Sequence, residues 1–425
     1  MKQSSQLRTT QKFAPKDEVS KNAQLLIRAG YVHKEMAGVY SYLPLGVRVL
    51  SNIENIIREE MDAIGGQELR MATLHPSEPW KQTGAWDSVD VLFKIQSRTE
   101  KEYALGQSEE EIVVPIAQKF VQSYKDLPVA LYQIGQKYRD ELRAKSGIMR
   151  GREFGMKDMY SFHETQEDFD AFFERVKEAY FKIYTRCGLQ AKATEASGGS
   201  FSEKISYEFM VITDAGEDDI VYCDQCDYCA NVEVAQNKEG DSCPKCNNSN
   251  LKKAKAVEAG NVFDLGQKYP KAFNFTYQDK EGIEKHPIVG CYGMGTTRLM
   301  GTIVEVFADE SGIIWPAEIA PYDLHLVVLG NKDKEKESLV KEKADEMYIA
   351  LQQEGLEVLY DDRMELSTGV RLTESELLGM PYRLIISEKT LEKGAFELTN
   401  RASKETEYVP TVQLIAGKIF KGSRN

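Results

Sequence analysis

The chain has 425 residues, room for two to four domains at about 100–200 residues each. Its 54 Lys and Arg stand against 67 Asp and Glu, a net charge of −13 that argues against coating nucleic acid with the whole surface but leaves local basic patches open. A hydrophobic content of 42% argues against disorder, no apolar run is long enough for a membrane span, and seven cysteines are too few for a secreted disulfide scaffold.

A basic arm opens the chain, with Lys2, Arg8, Lys12 and Lys16 and no acid over residues 2–16. It has a transit-peptide flavour, but no secretory core follows, and a plain arm is the simpler reading. Ala23, Leu26 and Ile27 predict a helix over 20–29 that Gly30 stops. Val49, Ile53, Ile56, Ile57 and Met61 recur at helical spacing and predict another over 45–64, ended by Gly65-Gly66. A strand is expected over 68–74, a hairpin over 91–105 and a helix over 110–124. Strands 130–139 and 152–162 should flank a polar loop holding Arg143, Lys145, Gly147, Arg150 and Gly151. A helix over 167–187 follows, then strands and loops to about 290 and a helix over 296–308. Beyond about 320, strands 324–329, 356–360 and 382–387 alternate with helices 334–354 and 374–378. That is the pattern of a separate α/β domain, whereas the larger N-terminal part reads as α+β with an antiparallel sheet. No repeat of solenoid period is present.

Three stretches carry chemistry. Tyr138-Arg139-Asp140-Glu141 precedes Arg150-Gly151-Arg152-Glu153-Phe154. Guanidinium groups grip phosphate bidentately, a carboxylate accepts from an exocyclic amine, and an aromatic ring stacks on a purine. The competing reading is a solvated charged hairpin, and this stretch alone does not choose. Gly290-Cys291-Tyr292-Gly293-Met294-Gly295-Thr296-Thr297-Arg298 permits close backbone approach and sets Arg298 in the first turn of a helix. It is not the dinucleotide fingerprint, because Arg298 stands where a third glycine belongs. Cys223 and Cys226, then Cys243 and Cys246, form two Cys-x2-Cys pairs with 16 residues between them, the spacing of a four-thiolate zinc site. Cys229 offers an alternative first pair with Cys226.

Together the first two stretches resemble motifs 2 and 3 of the class II aminoacyl-tRNA synthetases. Residues 37–46 (AGVYSYLPLG), 152–163 (REFGMKDMYSFH), 263–269 (FDLGQKY) and 290–293 (GCYG) resemble, in order, the prolyl-tRNA synthetase family of the bacterial kind. Residues 3–7 resemble that family's own start, which weakens the transit-peptide reading.

The resemblance implies an α+β class II catalytic domain over 1–318, an antiparallel sheet with flanking helices. A small zinc-ribbon-like insertion would lie within it over 222–255, and an α/β anticodon-binding domain with a tail would follow over 319–425. It implies an ATP-dependent ligase that activates proline as prolyl-adenylate and transfers it to the 3′ end of proline tRNA. Arg139 and Arg298 would be catalytic. ATP would be held by Arg139, Glu141, Arg150, Phe154 and Arg298, with Glu217 or Glu233 helping to bind Mg²⁺. The family's Thr-x-Glu loop falls on Ser108-Glu109-Glu110, so Ser108 and Glu110 would hold the proline amine. Arg139, Met156, Asp158, Tyr160 and Cys291 would complete the proline site. Cys229 falls where the family has Ala, which favours Cys223, Cys226, Cys243 and Cys246 as ligands of a structural Zn²⁺. A cytoplasmic homodimer with no membrane partner is also implied.

Three departures stand out. Ala72 follows Met71 where the family has Pro, in the segment that builds its dimer interface. The motif 2 loop, Arg143-Ala144-Lys145-Ser146-Gly147, is altered. The stretch 235–257 is far too short for the editing domain that long bacterial forms insert between motifs 2 and 3.

Past residue 320, Tyr360-Asp361-Asp362-Arg363, Gly369-Val370-Arg371 and Leu378-Gly379-Met380-Pro381-Tyr382-Arg383 resemble the anticodon domain shared by the prolyl, threonyl, histidyl and glycyl enzymes. Arg363, Arg371 and Arg383 are candidate tRNA contacts, with a salt-bridge role the equal alternative. Residues 401–425 carry five basic and two acidic side chains, a further local basic patch. The competing functions are a threonine enzyme of the same subclass and a non-catalytic tRNA-binding paralogue. The latter tends to lose the arginines that persist here at 139, 150 and 298. A free-standing zinc-ribbon nucleic-acid binder is the remotest reading.

Overall fold

The computed structural model describes residues 1–422 except 8, 9, 143, 145, 198–204, 248, 331 and 332, so Arg8, Arg143 and Lys145 lie outside the described residues. Two compact units emerge: residues 35–40 with 53–302, and residues 1–34, 41–52 and 303–425.

In the first unit the described residues form one large sheet. Its strands run Ile205–Ile212, Ala191–Ser197, Cys229–Asn231, Asp218–Tyr222, Lys252–Gly266, Ile288–Gly295, Glu153–His163, Val129–Tyr138 and Gly66–Glu68. Lys252–Gly266, Ile288–Gly295, Glu153–His163 and Val129–Tyr138 pair antiparallel in succession, with Cys291 opposite Tyr160 and Gly293 opposite Asp158. Side chains alternate across a strand, so Phe154, Met156, Asp158, Tyr160 and Phe162 share one face.

The other face is closed by the helix Gln166–Arg186, where Phe172, Phe173, Val176, Tyr180, Ile183 and Tyr184 recur at helical spacing and are buried. Thr165 caps the helix by accepting from the Asp168 amide at 3.2 Å. Lys157 points to this helix side and donates to Tyr180 Oη at 2.5 Å and to the Tyr292 carbonyl at 3.0 Å.

The expected strand over 68–74 is split. Gly66–Glu68 pairs parallel with Val129–Tyr138, and Leu74–Pro76 pairs antiparallel with Glu102–Leu105 in a small sheet that also holds Lys94–Gln96. Between them the Met71 amide donates to the Gln133 side chain at 3.0 Å instead of to a ladder carbonyl. The helix expected over 110–124 runs Glu110–Phe120 and is followed by a 3-10 turn, Tyr124–Asp126.

In the second unit the strands Val358–Asp361, Leu324–Val328 and Tyr382–Ile386 are parallel, and Phe396–Asn400 and Thr406–Val409 continue the sheet antiparallel. Leu324, Leu326, Val328, Val358, Tyr360, Leu384 and Ile386 face helices Lys334–Gln353 and Val412–Gly422 in a dry core. The helix expected over 374–378 is longer, Thr368–Leu378, because Ser367 caps it from a stretch whose Gly369 reads as loop. The last two strands and the last helix were not visible as elements in the sequence pattern. No described helix is long and apolar enough to cross a membrane.

Candidate active site

The shared face of the large sheet changes character along the Glu153–His163 strand. At one end Tyr160 and Phe162 lie in a core with Val113, Val114, Ala117, Phe263, Phe273 and Phe275. At the other end the sheet opens into a cavity of about 250 Å³. Arg139, Glu141, Arg150, Phe154, Met156, Glu217 and Arg298 all line it, although they are spread over 160 positions of chain.

Arg139 follows directly on the strand Val129–Tyr138, and its amide still pairs with the Arg152 carbonyl at 2.8 Å. Its guanidinium carbon lies 5.2 Å from the centre of the Phe154 ring. Its Nε and Nη2 each donate to the Gln107 carbonyl at 3.4 Å. Burial lowers the pKa of this guanidinium, and Glu258 and Glu141 oppose that shift. Arg150 pairs with Glu217 at 2.8 Å and with Glu141 at 3.2 Å. Burial raises the Glu217 pKa, but Arg150 and the Ser146 hydroxyl outweigh it and hold the carboxylate below its usual range.

Arg298 sits in the first turn of the helix Thr296–Phe307. Its Nε is buried and has no hydrogen-bond partner among the described residues, an orphaned donor that suits an anion. Two glycines make room here. A Cβ on Gly293 would meet Asn261 Oδ1 at 2.8 Å, and one on Gly295 would come within 3.0 Å of Arg298 Cβ.

Sequence reasoning missed Asp218, Glu258, Asn261, Thr297 and Met149 in the cavity wall. Glu258 has a definite cause. The register against Ile205–Ile212 jumps from Phe209 opposite Gly260 to Met210 opposite Glu258, so Ala259 is a bulge. The extra residue turns Glu258 to the same side as Asn261, whose Nδ2 donates to it at 2.9 Å. Strict alternation would have sent Glu258 to the helix side. Carboxylates crowd as a result: burial, then Glu258 and Asp218, push Glu208 up to about 8. Glu233 is exposed and does not line the cavity.

A second cluster lies on the dry side. Ser108 donates to Glu110 Oε2, and Cys291 Sγ lies 3.4 Å from Glu110 Oε1. The Glu109 amide donates to Tyr160 Oη at 3.0 Å, and Asp158 faces Lys137 at 3.0 Å. Ser108, Glu110, Asp158, Tyr160 and Cys291 are therefore brought together and buried. Met156 is the member of this group that also lines the cavity.

The four cysteines expected as ligands converge. The Sγ atoms of Cys223, Cys226, Cys243 and Cys246 all lie within 4.8 Å of one another, with 3.7 Å between Cys223 and Cys246 and 3.6 Å between Cys226 and Cys243. A tetrahedral zinc with Zn–S bonds of about 2.3 Å needs sulfurs about 3.8 Å apart. Cys229 is outside the group, buried and accepting from Thr194 Oγ1 at 3.0 Å. Four thiolates fill a tetrahedron and leave no open position, the mark of a structural site.

In the other unit two of the three candidate tRNA arginines, Arg363 and Arg371, are buried, and Arg383 is partly exposed. Arg363 is 4% exposed and pairs with Asp361 and Glu374 at 2.7 Å each. Arg371 is 1% exposed, and Arg383 pairs with Glu376. Arg363 and Arg383 thus neutralise neighbouring carboxylates, whereas Arg371 reaches Met364 Sδ at 3.8 Å and makes no ion pair among the described residues.

Residues 93–307 match the family model of the tRNA synthetase class II core domain (G, H, P, S and T), and residues 323–417 match that of the anticodon binding domain. The proline–tRNA ligase of Geobacillus kaustophilus (strain HTA426) is 33% identical over 565 aligned positions, covering 98% of each chain. That of Halothermothrix orenii is 31% identical, covering 93% of this chain and 94% of its own. The prolyl-tRNA synthetase of Giardia lamblia, solved with prolyl-adenylate, superposes with a TM-score of 0.79 at 19% identity, over 95% of this chain and 79% of that one. The Cryptosporidium parvum enzyme with L-proline and AMP gives 0.77 at 17%, over 95% and 74%.

Proposed function

The chain belongs to the proline–tRNA ligase family of class II synthetases, and from that membership we propose that the cavity binds ATP while the buried Ser108–Glu110 loop binds proline. The observation that carries this reading is Arg139. It faces Phe154 in the cavity and holds the Gln107 carbonyl, the residue next to Ser108. Activation needs the carboxylate of one substrate to meet the α-phosphorus of the other, and one guanidinium at the junction serves both anions.

The carboxylate attacks in line, pyrophosphate leaves, and prolyl-adenylate then passes its prolyl group to the 3′ end of proline tRNA. No side-chain nucleophile is required, so the residues work by placement and charge. Phe154 stacks on the adenine and Glu141 accepts from its amine. Arg150 and Arg298 take the outer phosphates, with the orphaned Arg298 Nε as one donor. Glu110, hydrogen-bonded by Ser108 and Cys291, receives the proline ammonium, and Met156, Asp158 and Tyr160 shape the pocket. Mg²⁺ would supply further neutralisation of phosphate charge, and Glu217, Asp218 and Glu258 would hold it.

Residues 1–318 act as the catalytic part and 319–425 as the part that meets the anticodon stem. Cys223, Cys226, Cys243 and Cys246 hold a structural zinc. The 565 aligned positions exceed the 425 residues of this chain by at least 140, which supports the absence of an editing domain in cis. We place the enzyme in the cytoplasm as a homodimer.

One preparation tests the reading. Purified protein should catalyse pyrophosphate exchange with proline far better than with threonine, alanine or cysteine, and should carry one zinc per chain. Exchange driven best by threonine would sink the proline assignment, and metal-free active protein would sink the zinc.

A further inference from the structure

Four carboxylates crowd the floor of the proposed proline site: Glu109, Glu110, Glu111 and Asp158, none more than 2% exposed. Burying anions together is costly without compensation, and three of them have a counter-charge or a proton. Lys137, fully buried, lies between two, with Nζ 3.0 Å from Glu109 Oε1 and 3.0 Å from Asp158 Oδ1. His75 assists at Glu109. Trp80 Nε1 donates to His75 Nδ1 at 3.3 Å, which leaves Nε2 to carry the proton, 3.1 Å from Glu109 Oε2 and 2.8 Å from the Ala72 carbonyl. Glu111 accepts from Thr83 Oγ1 at 3.0 Å, and burial, then the Glu110 charge, push it up to about 8, so it holds a proton at neutral pH.

Glu110 differs. Its partners, Ser108 and Cys291, are neutral donors, and no cation lies within ion-pair distance of it among the described residues. The loop that carries it is fixed by its neighbour, since Glu109 is held at the side chain by Lys137 and His75 and at the amide by Tyr160. Tyr160 and Asp158 stand two apart on one strand, so Lys137 and Tyr160 tie the loop to the same strand at two points.

We propose that Lys137 is a positioning residue for the amino acid: it is the shared counter-charge of Glu109 and Asp158 and fixes the loop, so that Glu110 remains as the carboxylate with no cation of its own among the described residues and draws the substrate ammonium. This rests on the assignment of Ser108–Glu110 to proline. Lys137 touches neither substrate and acts through Glu109 and Asp158. Without its charge, the two flanking carboxylates compete with Glu110 for the ammonium and the loop loses an anchor.

The test uses the full chain in pyrophosphate exchange, with thermal melting as a control. Lys137→Met should raise the KM for proline about tenfold or more and leave the KM for ATP within about twofold. Adding Asp158→Asn to Lys137→Met removes one uncompensated charge and should recover about threefold of that loss, since Glu109 keeps His75. Equal rises in both KM values, or no recovery in the double variant, would overturn the assignment. Should Lys137→Met fail to fold, Glu109→Gln keeps the Lys137–Asp158 pair and should raise the proline KM about threefold with ATP unchanged; an unchanged proline KM would overturn it. A wild-type enzyme that does not exchange with proline would instead refute the proposed function.

Discussion

Two sets of three arginines were marked for anion binding by the same residue type, and the fold treats them in opposite ways. Arg139, Arg150 and Arg298 line a cavity in one unit, where one stacks on a ring, one shares two partly exposed carboxylates and one stands in the first turn of a helix. Arg363, Arg371 and Arg383 lie in the other unit, where Arg363 is closed off by two carboxylates and Arg371 is nearly without exposure. The difference lies in the surroundings of each guanidinium. An arginine whose carboxylates are local and buried stabilises a fold, and one whose donors face a cavity is available to a ligand.

The comparison breaks most readily at Arg363. Replacing it with Ala strands Asp361 and Glu374, and unfolding by denaturant should show a loss of about 3–5 kcal/mol. A loss below about 1 kcal/mol together with weaker tRNA binding would mean that it is a surface contact after all. Arg298→Ala should do the reverse. Its melting temperature should stay near the wild type, while kcat for pyrophosphate exchange falls about 10²–10³-fold. A destabilised but active variant would move Arg298 into the structural class.

Glu111 sharpens the contrast from inside the catalytic unit, because it is a closed acid beside an open one. Its folded-state pKa is raised to about 8 by burial, so between about 4.5 and 8 the native state holds a proton that the unfolded chain has released. Stability from this group is therefore present at low pH and lost as pH rises through that window, at up to about 1.4 kcal/mol per pH unit. Glu111→Gln should flatten the fall in melting temperature between pH 6 and 8. An unchanged slope would mean that Glu111 is ionised throughout.

Much of this was legible in the sequence where periodicity and spacing are strict. The helices Pro44–Ala63, Gln166–Arg186 and Lys334–Gln353 follow their apolar spacing to within a few residues. The four-cysteine cluster follows from two Cys-x2-Cys pairs, and the fold separates Cys229 from it as the family's alanine implied. Six ATP-site candidates share one cavity, while Glu233 does not reach it. What stayed hidden was set by partners distant in sequence. Met71 breaks its expected strand because Gln133, 62 positions on, takes its amide. The inward turn of Arg363 depends on Glu374, eleven residues away on a helix whose start was not recognised. Lys137 looked like an ordinary strand residue, because nothing in its neighbourhood of the chain announces Glu109 and Asp158.

The bulge at Ala259 has a consequence for how this strand tolerates change in length. It works as a dislocation between two phases of the pleat: Glu258 is set by one phase and Asn261 by the other, and both reach the cavity only because the phases are offset. Substitutions on either side leave that offset intact. Deleting one residue there would erase it, swinging Glu258 toward Tyr180 and Tyr184 or dragging Asn261, Phe263 and Leu265 off their face. Residue number in residues 257–260 is thus under tighter constraint than residue identity.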